Sequence, residues 1–195
     1  VVIQCLAVQM SRYRLSRMNA RPPHHGLALM SGMLAAAAII LRLYQNDSAV
    51  GVLFMTIMTG CMTLMTLTDA ASCRLPRPFT IMYLISGSAC RLCQGDWLTG
   101  LCSAGFWFLL LLLFRQYTSY RRKTETIGLG DVFLIAGIAI WSPPGDIPWI
   151  VATAAGGALL YLWCNRQRRI TRELPFGPFL CASQYAFTFY PGGLW

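Results

Sequence analysis

The chain has 195 residues, of which 56% are hydrophobic and only 12% are charged, and its formal net charge is +9. A soluble domain carries about 25% charged residues. That deficit, with long apolar runs, excludes an ordinary globular domain and indicates an integral membrane protein. The positive charge does not indicate nucleic acid, because the basic residues sit in the short gaps between apolar runs.

Residues 1–10 are apolar but too short to span a bilayer. No cleavable signal is expected there, since no short apolar core leads to a small-residue cleavage site. A polar stretch over 11–25 carries Arg12, Arg14, Arg17 and Arg21. Residues 1–26 are therefore read as a cytoplasmic or interfacial segment, and 27–195 as one transmembrane domain. About 20 apolar residues cross a hydrocarbon core of roughly 30 Å. On that measure the runs predict an all-α bundle of about seven spans: 27–44, 50–68, 79–92 (short and interrupted by Gly87), 97–114, 127–141, 147–164 and 174–190. Asp69 ends the second. The longest polar loop is expected over 115–126.

The positive-inside rule orients these spans. With 11–25 placed in the cytoplasm, the same side collects Arg74, Arg77, Arg115, Arg121, Arg122, Lys123, Arg166, Arg168, Arg169 and Arg172, in all 14 of the 16 basic residues. Only Arg42 and Arg91 fall toward the other side. Solvated basic loops account for the charge, with anionic membrane lipids as their natural partner. The eight cysteines include a lone CxxC, Cys90 to Cys93, without a second pair at zinc-ribbon spacing. They read as small apolar residues in helices, and no metal is expected.

Of the seven acidic residues, Asp47, Asp96 and Asp146 fall in outer turns, and Glu125 and Glu173 lie among cytoplasmic basic residues. Asp69 and Asp131 remain, one ending an inward-going span and the other opening an outward-going one. Both therefore belong to the cytoplasmic boundary, 62 positions apart in sequence. An ionisable residue in a span points to function. Two carboxylates in one site share a proton, so one can take a proton from water while the other donates to a carbonyl oxygen. That chemistry hydrolyses an amide without a metal or covalent intermediate. Gly128 and Gly130, flanking Leu129 before Asp131, offer backbone conformations closed to other residues and close approach of another chain. A structural reading stands beside this one: Asp131 favoured at a helix N-terminus by the macrodipole, and Asp69 paired with Arg74.

Three motifs, in order, resemble those of the type IV prepilin peptidases, GxGD-type intramembrane aspartic proteases that include the preflagellin peptidases. The first is Asp69 followed by Leu75-Pro76 and Thr80, the second is Gly128-Leu129-Gly130-Asp131, and the third is Pro175-Phe176-Gly177-Pro178-Phe179. The resemblance covers roughly 50–190 and implies an aspartic endopeptidase with Asp69 and Asp131 catalytic. Gly128, Gly130, Pro76, Thr80, Pro175 and Gly177 would shape its site, and no cofactor is implied. It implies a prepilin or type II secretion pseudopilin as substrate, cut at the junction of its basic leader and apolar helix at the cytoplasmic face of the bacterial inner membrane. Two departures stand out: Phe133 where the family usually has Lys, and Arg77 where an acidic residue often follows the loop proline. Larger members add a segment with two CxxC pairs linked to N-methylation. The sequence shows no such segment, so peptidase activity without it is expected. Other readings are a proton- or cation-coupled transporter, which would favour carboxylates nearer the midplane, and a degenerate member serving pilus or secretion assembly, suggested by Phe133. Nothing in the sequence specifies an oligomeric state.

Overall fold

The computed structural model describes residues 49–72, 75, 77–122, 128–164 and 175–189, together with 9, 32, 33, 35–37, 39 and 40. No strand occurs among the described residues. Six helices have described bounds: α1 Ala49–Ser72, α2 Arg77–Gln94, α3 Trp97–Arg122, α4 Leu129–Trp141, α5 Ile147–Cys164 and α6 Gly177–Phe189. Helical positions at 32, 33, 35–37, 39 and 40 fall within the first expected span. Three helices contain stretches long and apolar enough to cross a membrane: Val50–Ala71, Trp97–Arg121 and Ile147–Cys164. The protein is an all-α, polytopic membrane bundle.

Several expected boundaries move. α1 runs past Asp69 to Ser72, so Asp69 sits in its last turns rather than at its end. α2 is not interrupted at Gly87. There the missing side chain makes room for α4: an added Cβ would come within 2.7 Å of Trp141 Nε1. α3 absorbs 115–122 of the expected loop. Its polar end contains neither glycine nor proline, and helix-forming Arg and Gln continue the run. Thr118 donates its hydroxyl to the Phe114 carbonyl at 2.9 Å, and the Arg121 guanidinium stacks over Tyr117. Gly95, at φ 84°, turns the chain between α2 and α3.

α1 packs against α2 and α6, α4 lies on α2 and α3, and α5 rests on α6. The core they enclose is built from Met55, Met58, Met62 and Met65 of α1, Tyr83 of α2, Leu134, Ile138 and Trp141 of α4, and Leu180 and Tyr185 of α6. Ala35 also contributes. Into this apolar interior α1 inserts Thr59, Thr63 and Thr66, all buried. Each hydroxyl donates to its own helix, Thr63 to the Thr59 carbonyl at 2.8 Å and Thr66 to the Met62 carbonyl at 2.8 Å. Such back-bonding lets a polar side chain enter a bilayer-depth core without an orphaned donor.

Candidate active site

The threonine face of α1 ends in Asp69. Spacings of four, three and three residues keep Thr59, Thr63, Thr66 and Asp69 on one side of the helix, and that side meets α6. Only 4% of Asp69 is exposed. Its Oδ2 accepts the N–H of Gly177, the first residue of α6, at 2.9 Å.

Local sequence explains why that N–H is available. The first N–H groups of a helix have no intrahelical acceptor. In α6, Pro178 has none to satisfy, a placement suited to a first turn. Phe179 and Leu180 donate to the Phe176 carbonyl at 3.1 and 3.2 Å. Gly177 is left to bind the carboxylate. No larger residue fits, because an added Cβ would come within 2.7 Å of Asp69 Oδ2 and 3.4 Å of its Cβ.

Asp131 lies in the first turn of α4. The turn is closed by the N–H groups of Asp131 and Val132 on the Gly128 carbonyl, at 3.2 and 3.4 Å. Its side chain is half-buried and within electrostatic range of Asp69. The N-termini of two helices therefore converge on the pair, α4 behind Asp131 and α6 on Asp69. Each places partial positive charge where carboxylates gather. Pairing of Asp69 with Arg74 concerns a residue outside those described. Pro76 also lies outside them.

The two glycines before Asp131 work differently from the expectation. Gly128 has φ −66° and ψ 136°, an extended conformation open to any residue. What both positions lack is room. A Cβ on Gly130 would come within 2.8 Å of the Leu75 Cβ, and one on Gly128 within 3.2 Å of Asp131 Oδ2. The loop after α1 thus packs directly on the start of α4, and the close neighbour is the chain's own Leu75. Thr80 is buried in the first turn of α2. Pro175 is half-buried just before α6.

Phe133 points elsewhere. Two residues along a helix lie about 200° apart around its axis, so Phe133 projects from the opposite side of α4 to Asp131. Its ring packs 5.2 Å from Phe108 on α3, in an apolar groove of about 560 Å³ between α2, α3 and α4. Two neighbours escaped the sequence reading. Cys181 is buried on α6, hydrogen-bonded to Thr66 and within electrostatic range of Asp69. Helical phase could have found both, since Thr66 lies one turn before Asp69 and Cys181 one turn after Gly177.

Comparison with known proteins shows the family this chain resembles. A model of the type IV leader peptidase family matches residues 56–163. That stretch includes both aspartates and Gly128 to Asp131, while Pro175 to Phe179 lies beyond it. Prepilin leader peptidase/N-methyltransferases from two Burkholderia pseudomallei strains, 1026b and K96243, are each 33% identical over 178 residues, covering 84% of this chain and 53% of theirs. The chain thus spans about half the length of these curated relatives. Leader peptidase HopD of Escherichia coli is 31% identical over 141 residues, 66% of this chain and 88% of its own. No solved structure matches.

Proposed function

The chain belongs to the type IV leader peptidase family, and on that premise we propose that it is an aspartic endopeptidase that removes the basic leader of a prepilin or type II secretion pseudopilin. The observation that carries this reading is that Asp69, bound to the Gly177 N–H at the start of α6, and Asp131, in the first turn of α4, lie within electrostatic range of each other although far apart in sequence.

In the proposed reaction Asp69, oriented by the Gly177 N–H, is the general base. It takes a proton from a water whose oxygen attacks the scissile carbonyl carbon. Asp131 carries the shared proton and gives it to the carbonyl oxygen. The resulting gem-diol collapses as Asp69 returns its proton to the departing amine nitrogen and Asp131 recovers one from a hydroxyl. The C–N bond breaks, one water is consumed, and both carboxyls regain their starting states. The oxyanion never forms uncompensated, because its charge is met by a proton at the moment it develops.

The distribution of basic residues supports a site at the cytoplasmic face, in the inner membrane under the proposed reading. A substrate with a basic leader in the cytoplasm and an apolar helix in the bilayer presents its junction at that depth. Both carboxylates sit in the terminal turns of their helices rather than mid-helix, which disfavours a transport role. Phe133 is turned away from the pair, so it does not argue for a degenerate site. The test is incubation of the purified protein with a prepilin in detergent or nanodiscs. Wild type removes the leader, while Asp69→Asn and Asp131→Asn insert normally and leave it attached. Normal processing by either variant would sink the mechanism.

A further inference from the structure

α4 carries Asp131, and α6 holds Asp69 of α1 through the Gly177 N–H, yet α4 and α6 meet each other only slightly. Tyr83 of α2 fills the space between them. Its hydroxyl donates to Gln184 Oε1 on α6 at 3.0 Å. Its carbonyl accepts the Trp141 Nε1 hydrogen from α4 at 3.1 Å. The Tyr83 and Trp141 rings lie 5.9 Å apart. Gly137 of α4 is so close that an added Cβ would come within 2.5 Å of the Tyr83 ring. Beside this knot, Tyr185 of α6 donates its hydroxyl to the Thr59 carbonyl of α1 at 3.1 Å. One buried layer therefore ties α1, α2, α4 and α6 together.

The layer is in register with the site. Gln184 follows Gly177 by seven residues, two turns along one face of α6, or about 10 Å. Gly177 faces Asp69 at the upper end of that face and Gln184 faces Tyr83 at the lower. The layer is also made of an expensive residue. Gln184 is 0% exposed, and its Nε2 has no hydrogen-bond partner among the described residues. At bilayer depth an unsatisfied amide hydrogen is costly. A Met or Leu would fill the same space without it. A polar side chain kept against stability points to geometry as its role.

We propose that Tyr83 and Gln184 are positioning residues, whose hydrogen bond sets the separation of α4 from α6 and so the approach of Asp131 to Asp69. The proposal rests on the reading of that pair as acid and base. Neither residue touches the reacting atoms. If their bond is lost, α4 can drift from α6 and the carboxylates part. The other titratable groups on these four helices are Cys61 of α1, Arg77, Tyr83, Cys90, Arg91 and Cys93 of α2, and Cys181 and Tyr185 of α6, and arginine stays charged throughout. Thiols and phenols ordinarily titrate well above the acid-to-neutral range, so a pH profile taken there reports the two aspartates.

The test compares wild type with Tyr83→Phe, Gln184→Met, the double variant and Thr153→Val. The last removes a hydrogen bond of 3.1 Å to Ser183 between α5 and α6, away from the layer. Interacting carboxylates titrate as a pair, and the spacing of the two limbs of the kcat profile reports their interaction. Tyr83→Phe and Gln184→Met should each lower kcat about tenfold with KM within about twofold, and bring the limbs together. The double variant should be no worse than either, as expected of one shared bond. Thr153→Val should leave kcat and profile unchanged. A substrate-free readout accompanies this: amide exchange over 128–132 and 175–180 should quicken in Tyr83→Phe and not in Thr153→Val. Wild-type kcat, profile and exchange in Tyr83→Phe, or the same changes in Thr153→Val, would overturn the proposal. So would failure of both Tyr83→Phe and Gln184→Met to fold, since the bond would then serve stability. A wild type that cuts no prepilin would instead refute the peptidase reading, and the exchange comparison would still decide the positioning role.

Discussion

α1 and α3 are both long and apolar enough to cross a membrane, yet 61% of the apolar stretch of α1 is buried inside the protein and only 11% of that of α3. The buried helix carries Thr59, Thr63, Thr66 and Asp69. The exposed one shows Phe106, Leu109, Leu110 and Leu113 to its surroundings. Bilayer hydrocarbon offers no partner to a polar group, whereas a neighbouring helix does. The residues of the candidate site accordingly lie on α1, α4 and α6, with α3 packed against α4 and α5 against α6. Hydropathy alone ranks these helices by the wrong property, since α4 is shorter than a span while holding Asp131 of the candidate site.

The contrast can be broken most directly at the carboxylates. Asp69→Asn or Asp131→Asn should lower leader removal by about 10²–10⁴-fold or more, measured as the rate of prepilin cleavage by equal amounts of folded protein. Asp131→Asn should also abolish the bell shape of the pH–rate profile, because a shared proton is no longer divided between two acids. Next comes Gly177→Ala. The added methyl occupies the space of Asp69 Oδ2, and a misplacement on the order of 1 Å at a reacting group can reduce turnover about 10²-fold. The expected signature is a fall in kcat larger than the loss of about 1–3 kcal/mol of stability that overpacking brings.

Smaller effects sharpen the division. Met62→Ala empties a fully buried position and should destabilise the protein by about 2–5 kcal/mol. Leu159→Ala, at a position 66% exposed on α5, should change stability by under about 0.5 kcal/mol. Equilibrium unfolding in mixed micelles compares the two, and equal losses would contradict the exposed position of Leu159. Last, Phe133→Lys puts a charge into the apolar groove behind α4. It should cost about 2–3 kcal/mol of stability and leave kcat per folded molecule within about threefold of wild type. A large gain in kcat would show that a lysine at 133 reaches the carboxylates after all.

Much of the arrangement was legible in one dimension. Apolar runs gave all six helices with described bounds, and charge asymmetry put Asp69 and Asp131 at one depth before any contact was known. Several features were not legible, for identifiable reasons. The polar tail of α3 reads as loop by hydropathy, although nothing in 115–122 breaks a helix. Gly87 reads as an interruption, because a missing side chain looks the same whether the chain bends or Trp141 moves in. Gly128 and Gly130 pose the same ambiguity, and the space around them decides it. The Gly177 bond to Asp69 joins residues 108 positions apart, a tertiary contact that no local pattern encodes. Tyr83 and Gln184 each sit inside an apolar run, where periodicity marks them as buried without naming a partner. The direction of Phe133 could have been read from helical phase once α4 was recognised as a regular helix.

α4 has 13 residues, which makes it about 20 Å long against a hydrocarbon thickness of roughly 30 Å. Nine of those residues are buried among the other helices, so the shortfall lies inside the bundle and not against lipid. Backbone that stops short of the membrane face is tolerated where it is enclosed in protein or lines a water-filled space. In the proposed reaction, the end of α4 that holds Asp131 is therefore where attacking water would enter, and the missing length of helix would be its path inward.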